Sequence, residues 1–93
     1  MFTVISYDIV DDRRRARVAT LLKGYGAHVQ GSVFECDLTP RQLTEVGRAL
    51  RDLIDQGTDD VRCYLLDVAA VKRIQVLGIA RVSQSPPYFL IGQ

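Results

Sequence analysis

Hydrophobic and polar residues alternate along the beginning of the chain, between Phe2 and Ile9. This run is rich in β-branched and aromatic residues, which pack well on a pleated surface, so the pattern predicts a strand. Because successive side chains of a strand point to opposite faces, the sequence also predicts which residues share a face. One face carries Thr3, Ile5, Tyr7 and Ile9, and the other carries Phe2, Val4, Ser6 and Asp8.

A helix is predicted directly after this strand. Asp11 or Asp12 is positioned to cap its first turn, and Gly24 and Gly26 mark its end. Its apolar residues recur at helical spacing and form one buried stripe, made of Val18, Leu21, Leu22 and Tyr25.

The second predicted helix has a complete start signal. Thr39 is the N-cap, Pro40 the first helical residue, and Gln42 completes a capping box. Gly57 is predicted to close the helix. Its apolar stripe consists of Leu43, Val46, Leu50, Leu53 and Ile54.

The remaining apolar runs predict further strands. Residues 27–38 are extended but interrupted at Gly31-Ser32, which favours two short strands or one strongly bent ribbon. Residues 61–66 predict another strand, and residues 74–79 predict a short late one.

The element order βαββαβ predicts an α+β protein of the ferredoxin-like type, with an extra C-terminal strand. Residues 1–79 form the predicted domain, and residues 80–93 form a C-terminal tail. Both helices are expected on one face of an antiparallel sheet. We expect a homodimer packed sheet on sheet to cover the other face, with the extra strand adding to a partner's sheet edge.

Composition narrows the class of protein. The chain has 93 residues, 47% of them hydrophobic and 25% charged, which is typical of a single globular domain. No apolar run approaches the roughly 20 residues needed to cross a bilayer, and the first residues lack the basic region of a signal peptide. We therefore expect a cytoplasmic protein with no membrane partner. Cys36 and Cys63 lack the spacing of a metal site, and we expect both thiols to be buried and inert.

The net charge of +1 says little, but its distribution is uneven. Three acids, Asp8, Asp11 and Asp12, are followed by a segment with five cations and no acid. The cations are Arg13, Arg14, Arg15, Arg17 and Lys23. This polarity is expected where a phosphate backbone meets a metal site. The charge pattern alone favours the alternative, a helix with an acidic cap and a solvated arginine face.

Asp8 is the strongest candidate for chemistry because it ends the first strand, where a carboxylate is free to meet solvent and a metal ion. An Asx-turn that begins the loop is the alternative, and spacing alone favours it. Mg²⁺ is held by one or two carboxylates, several waters and substrate phosphates. A two-fold axis near Asp8 would bring two copies together, and a divalent cation would relieve their repulsion.

Other candidate residues are weaker. His28 is the sole histidine, so neither a Ser-His-Asp nor a Cys-His arrangement exists, and we expect it on a strand surface. No glycine-rich phosphate loop precedes a helix. Phe34 is expected on the uncovered face of the sheet, where it either stacks on a base or, as we favour, packs in the dimer core.

Several short segments, in this order and spacing, resemble the second core CRISPR-associated protein family, the small subunit of spacer acquisition. They are Tyr7-Asp8-Ile9, Asp11-Asp12-Arg13-Arg14, Tyr25-Gly26, the run from Val29 to Glu35, Asp60 to Tyr64, and Ile74, Val76 and Gly78. The resemblance covers about residues 2–79. Gly31 departs from it, since a bulkier or basic residue is common there.

This resemblance implies a ferredoxin-like homodimer with a Mg²⁺ (or Mn²⁺) site on Asp8 and metal-dependent cleavage of RNA or duplex DNA by an endonuclease. It also implies a structural role beside the larger CRISPR integrase subunit in antiviral defence. Arg13, Arg14, Arg17, Ser32 and Phe34 are the residues it marks for binding nucleic acid or holding the dimer. Arg14 lies four residues before Val18, at the edge of the apolar stripe, so we expect it to pair with an acid, and Arg13, Arg17, Ser32 and Phe34 remain as the nucleic-acid contacts. No cofactor besides the metal is implied. Three alternatives stay open: a non-catalytic DNA-bridging adaptor, a toxin-type ribonuclease of the same fold, and a small-molecule sensor.

Overall fold

The structure is a computed structural model that describes residues 1–79 and 89–91. Its main body is a four-stranded antiparallel sheet with the two long helices packed against one face. The strands lie in the order β2-β3-β1-β4, with β1 paired to both β3 and β4. The elements are β1 (Phe2–Asp8), α1 (Asp12–Lys23), β2 (Gly26–Gln30), β3 (Val33–Asp37), α2 (Pro40–Leu53), β4 (Asp60–Leu66), α3 (Val68–Lys72), β5 (Gln75–Leu77) and β6 (Phe89–Ile91). The predicted α+β fold with ferredoxin-like βαββαβ order is confirmed.

Local signals in the sequence account for both long helices. The Asp11 side chain caps α1 by accepting a hydrogen bond from the backbone N–H of Arg14. Thr39 and Gln42 form the predicted capping box of α2, each side chain bonded to the other residue's backbone N–H. The helix ends at Leu53 rather than near Gly57, because Ile54 is already extended.

The main core lies between the helices and one face of the sheet. Its buried side chains come from β1, β3, α1, α2 and the segments that follow the strands: Ile5, Tyr7, Ile9, Val18, Leu22, Phe34, Cys36, Leu38, Val46 and Leu50. The predicted faces of β1 and the predicted apolar stripes of both helices are therefore confirmed. Burying these apolar side chains is the main favourable term in folding the chain.

Phe34 belongs to this helix-covered core, so the prediction that it lies on the uncovered face is wrong. It pairs across the strands with Ile5, and directly opposed residues of an antiparallel pair share a face. Its side chain is fully buried, with its ring centroid 4.6 Å from that of His28 and 6.3 Å from that of Tyr7. The register between β1 and β3, which local pattern does not reveal, decides this placement.

The second face of the sheet is covered in part by the chain itself. Phe2 is only 3% exposed because it packs against Val71 of α3, a short helix that the sequence pattern did not predict. Val4, Leu66, Ile74 and Val76 complete this small second cluster. The late strand is confirmed as β5, but it pairs in parallel with β6 in a separate two-stranded sheet. β6 falls within the segment predicted as a tail, and the rest of that tail lies outside the described residues.

Two glycines, Gly26 and Gly31, occupy positions in and beside β2 where a side chain is sterically unfavourable. A Cβ on Gly26 would collide with the carbonyl oxygen of Glu35 and the Sγ of Cys36, so β2 can approach β3 only with glycine there. Gly31 has φ +34, in the left-handed region that side chains disfavour, and forms the turn between two strands. The interruption at Gly31-Ser32 is thereby confirmed as a boundary between two short strands.

Burial differs between the two cysteines. Cys36 is buried, as predicted, but Cys63 is exposed, so the prediction for Cys63 is wrong. Cys63 is exposed because its strand, β4, lies at the edge of the four-stranded sheet. Within the described residues, no helix is both long and apolar enough to span a membrane.

A buried ion pair joins the start of α1 to the loop before β4. The Nε of Arg14 donates to Asp59 at 2.8 Å, and the Asp59 side chain is 0% exposed. The same carboxylate accepts from the backbone N–H of Val10 at 3.0 Å and from that of Asp55 at 2.9 Å. The Arg14 guanidinium and these N–H groups hold the pKa of Asp59 far below its usual range, although burial opposes them. The prediction that Arg14 pairs with an acid is confirmed.

We expect Asp59→Asn to lower the Tm at neutral pH and to remove part of the acid sensitivity of the fold. A carboxyl whose pKa falls on folding stabilises the protein above its unfolded pKa of about 4 and loses that contribution as the pH falls further. Asparagine does not ionise, so the Tm of the variant should decline less steeply on acidification. Circular dichroism melts across acidic and neutral pH measure both effects.

Asp52→Asn is the matched control, since Asp52 is an exposed aspartate on α2. It should leave both the Tm and its dependence on pH near the wild-type values. A wild-type melting profile for Asp59→Asn at every pH would contradict the role of this ion pair.

Candidate functional site

Asp8 lies at the end of β1, on the face of the sheet opposite the main core, and it is exposed. Its cross-strand partner on β4 is Asp60. Directly opposed residues of an antiparallel pair share a face with their Cβ atoms about 5 Å apart, so the two carboxylates are neighbours. They line an open depression of about 260 Å³. The lining residues are Ser6, Tyr7, Asp8, Asp60, Arg62 and Tyr64.

On the β4 side of this depression, an acidic and a basic side chain form an ion pair. The Nε of Arg62 donates to Asp60 at 3.1 Å, and both side chains remain well exposed, at 66% and 59%. A hydrogen bond with Tyr64, and then the neighbouring Asp60 carboxylate, raise the pKa of Arg62 above its usual value. The depression therefore presents two carboxylates, one guanidinium and one phenol to the solvent.

The donor set of the depression fits a divalent cation that keeps most of its water. Asp8 and Asp60 supply carboxylate oxygens, which hard cations such as Mg²⁺ prefer. Among the described residues no group of three or more histidine, cysteine, aspartate or glutamate side chains comes together. One chain thus offers the one or two carboxylates typical of Mg²⁺ sites completed by waters and substrate phosphates.

Sequence reasoning found Asp8 but not Asp60 as a site residue. The signal that finds Asp60 is the β1–β4 register, in which Ser6 faces Arg62 and Asp8 faces Asp60. That register joins segments far apart in the sequence, and no local pattern of charge or hydropathy specifies it.

Asp11 and Asp12 have structural roles at the start of α1. Asp11 is the N-cap and accepts from the backbone N–H of Arg14 at 2.8 Å, and its pKa is lowered first by that hydrogen bond. Asp12, in the first turn, forms an ion pair with Arg15, whose guanidinium also donates to the carbonyl oxygen of Ile9 at 2.8 Å. Both acids therefore act as the helix-capping interpretation predicts.

Cations of the basic segment divide into paired and unpaired residues. Arg14 and Arg15 are held by carboxylates, as described above. Arg13 and Arg17 are exposed on α1 and make no ion pair within residues 1–79. They line a shallow, mostly apolar groove of about 430 Å³ together with Ala16, Thr20, Leu21 and Leu53.

Ser32 and His28 lie near the turn that joins β2 and β3. The carbonyl oxygen of Ser32 accepts from the backbone N–H of Tyr7 at 3.1 Å, which ties this turn to the residue before Asp8. His28 is exposed on β2, stacks on Phe34 and contacts the carbonyl oxygen of Gly31, as expected of a strand-surface residue. The Phe34 ring is fully buried, so it is not available on the surface to stack on a base.

Comparison with known proteins identifies relatives along almost the whole chain. Residues 1–74 match the family described as CRISPR associated protein Cas2. A protein of Chloroflexus aurantiacus named CRISPR-associated endoribonuclease Cas2 3 is 48% identical over 91 residues, covering 98% of each chain.

Solved structures agree with this match. A hypothetical protein from Thermus thermophilus is 41% identical, covers 89% of this chain and 96% of its own, and superimposes with a TM-score of 0.78. A chain of a partial Cas6-RT-Cas1–Cas2 complex is 32% identical, with 76% and 78% of the two chains covered and a TM-score of 0.68. On the family match and this level of identity, the chain belongs to the CRISPR associated protein Cas2 family.

Proposed function

We propose that this protein is a Mg²⁺- or Mn²⁺-dependent endonuclease that cleaves phosphodiester bonds of RNA or duplex DNA, and a structural subunit of the CRISPR spacer-acquisition complex. The observation that carries the proposal is the exposed pair of neighbouring carboxylates, Asp8 and Asp60, in one depression beside a guanidinium. The similarity to a relative named an endoribonuclease supports the same chemistry.

In this mechanism Asp8 and Asp60 would hold the divalent cation, which would supply activation of a water molecule and neutralisation of charge on the phosphate. Asp8 presents its carboxylate from the end of a strand whose other face is fixed in the core, so its position is rigid. Asp60 follows Asp59, and the ion pair of Asp59 with Arg14 fixes the start of β4. The chain thus supplies two pre-positioned oxygen ligands rather than a general base.

The structural role concerns the larger CRISPR integrase subunit and duplex DNA. Its support is the likeness to a chain of a partial Cas6-RT-Cas1–Cas2 complex. Arg13 and Arg17 are the cations of α1 best suited to phosphate contacts, because both are exposed and Arg14 and Arg15 already have acidic partners. Ser32 remains a proposed contact, since its turn is tied to the backbone beside Asp8.

A non-catalytic DNA-bridging adaptor is the second candidate function. The observation that favours it is the small number of metal-ligating groups that the described residues bring together. Both candidates use the same fold and the same arginines, and they differ only in whether Asp8 is needed for bond cleavage. A toxin-type ribonuclease of the same fold would cleave RNA without binding an integrase subunit.

A homodimer is part of the proposal, although its physical basis differs from the one expected from the sequence. Phe2 is buried by α3, so it does not drive dimerisation through an exposed sheet face. Large apolar side chains are instead exposed on β4, at the start of α3, on β5 and just after β5: Leu65, Val68, Leu77 and Ile79. We propose these exposed apolar side chains as the surface that a partner subunit covers, because exposed apolar patches often mark protein interfaces.

Asp8→Asn should abolish cleavage of RNA or duplex DNA while leaving the fold and the dimer intact, because Asp8 is exposed and makes no core contact. The loss should be at least about a hundredfold, as for removal of an electrostatic group in other active sites. Nuclease assays with Mg²⁺ or Mn²⁺, and with chelator, measure it.

Asp12→Asn is the control, since Asp12 is an exposed helix-terminal acid. Wild-type, metal-dependent cleavage by Asp8→Asn would remove Asp8 from the site. Loss of cleavage with normal spacer acquisition would instead support the adaptor role.

Replacing both Arg13 and Arg17 with alanine should weaken duplex binding without changing the fold. If each neutralises one phosphate, the plot of log affinity against log salt should flatten by about 1.8, at about 0.9 per contact. The matched control replaces Arg41 and Arg48, two exposed arginines of α2. An unchanged slope in the Arg13 and Arg17 variant would mean that α1 carries only a solvated arginine face.

We expect a dimer at micromolar concentration in light scattering, and we expect it to weaken when Leu65 and Leu77 are both replaced with lysine. These side chains are 46% and 73% exposed, so the charges should disturb an interface and not the core. Val29→Lys is the control, because Val29 is exposed on β2 at the opposite edge of the sheet. A wild-type protein that scatters as a stable monomer would overturn this prediction.

A further inference from the structure

Three side chains of β4 line the depression, and one of them, Arg62, is not required for metal binding. Asp60, Arg62 and Tyr64 share this face because side chains alternate along a strand. Among the described residues that line the depression, Arg62 is the sole cation. It is not part of the basic segment of α1, and no pattern in the sequence distinguishes it.

We propose that Arg62 binds a phosphate of the nucleic-acid strand beside Asp8, with Asp60 and Tyr64 holding its guanidinium in position. The inference rests on the proposed function, because it requires a strand in the same depression. It adds a substrate-binding residue, and it assigns Asp60 a second role as the anchor of that residue.

Geometry around the guanidinium supports this role. The bond to Asp60 uses Nε, at 3.1 Å, so it occupies neither of the two terminal nitrogens of the planar fork. The side chain is 66% exposed, which leaves the fork accessible to a ligand. Arginine forks bind phosphate oxygens through two parallel hydrogen bonds, and they do so best when neighbouring groups have already ordered them.

A cationic side chain in the depression offsets the negative charge of its carboxylates. Asp8 and Asp60 lie side by side and would repel a polyanionic strand. Arg62 faces Ser6, two residues along the strand from the carboxylate pair. Two residues of a strand span about 7 Å, a length comparable with one nucleotide of an extended strand. A phosphate adjacent to the bond at Asp8 therefore comes within reach of the fork.

Binding of a short single strand tests this inference directly. The probe is one fluorescent oligonucleotide sequence made both as RNA and as DNA, and binding to the full chain is followed by anisotropy with chelator present. Arg62→Ala should weaken binding of both strands about tenfold, the effect of losing a charged hydrogen bond. It should also flatten the salt dependence by about 0.7, the value for one single-strand phosphate contact. Arg62→Lys should keep the wild-type salt dependence, because the charge remains, and should restore only part of the affinity.

Arg48→Ala on α2 is the matched control and should bind like the wild type, with melting curves recorded for every variant. Wild-type affinity and salt dependence in Arg62→Ala would overturn the inference, as would a wild-type protein that binds neither strand. A loss confined to RNA would also overturn it, because it would indicate contact with the 2′-hydroxyl rather than with phosphate. Should Arg62→Ala bind normally while Asp8→Asn loses cleavage, the inference fails and the proposed function stands. If Arg62→Ala loses binding while the wild-type protein cleaves neither RNA nor duplex DNA, the inference stands and the proposed nuclease activity fails.

Discussion

The hydrogen-bonded carboxylate of Asp59 is the interaction on which the position of the site depends. It receives the Arg14 guanidinium from α1, the backbone N–H of Val10 after β1, and the backbone N–H of Asp55 after α2. Two segments far apart in the sequence, residues 10–14 and residues 55–59, therefore meet at one buried group. The next residue, Asp60, begins β4 opposite Asp8. The ion pair of Asp59 with Arg14 therefore fixes the start of β4 and, with it, the position of Asp60 beside Asp8. A buried charge is tolerated at this point because it accepts hydrogen bonds from a guanidinium, two backbone N–H groups and the Thr58 hydroxyl.

The outer face of the sheet divides into two parts with different physical roles. Phe2 and Val4 pack beneath α3 and β5, and this half of the face adds to stability through burial of apolar surface. Ser6 and Asp8 continue the same row of side chains but lie in an open polar depression. On this face of β1, Phe2 and Val4 are packing residues, whereas Ser6 and Asp8, beyond the part covered by α3 and β5, line the candidate site.

The sequence was sufficient for features that depend on local physical chemistry. The Asp11 cap, the Thr39–Gln42 capping box and the alternation of β1 each involve residues within a few positions of one another, and each prediction was confirmed. Asp8 was found for the same reason, since a polar residue at the end of an alternating strand is visible locally. Resemblance to a known family then supplied the expected chemistry.

What the sequence did not reveal depends on long-range pairing. The face of Phe34 follows from its register against Ile5, and the proximity of Asp60 to Asp8 follows from the register of β4. Cys63 is exposed because its strand lies at the edge of the sheet, and strand order is a property of the whole fold. Helix α3 spans only Val68–Lys72, too short for an apolar period to be recognised.

Alternation along β1 has an evolutionary consequence. Ile5 and Tyr7 build the core, whereas Ser6 and Asp8, between and beside them, contribute nothing to it. Selection can therefore act on the two sets of positions independently: a lineage can lose or alter its chemistry through a single base change at Asp8 and still inherit an intact scaffold. In a protein whose assembly role needs only the scaffold, catalytic decay would leave no trace in thermal stability, and fold alone would not distinguish active from inactive descendants.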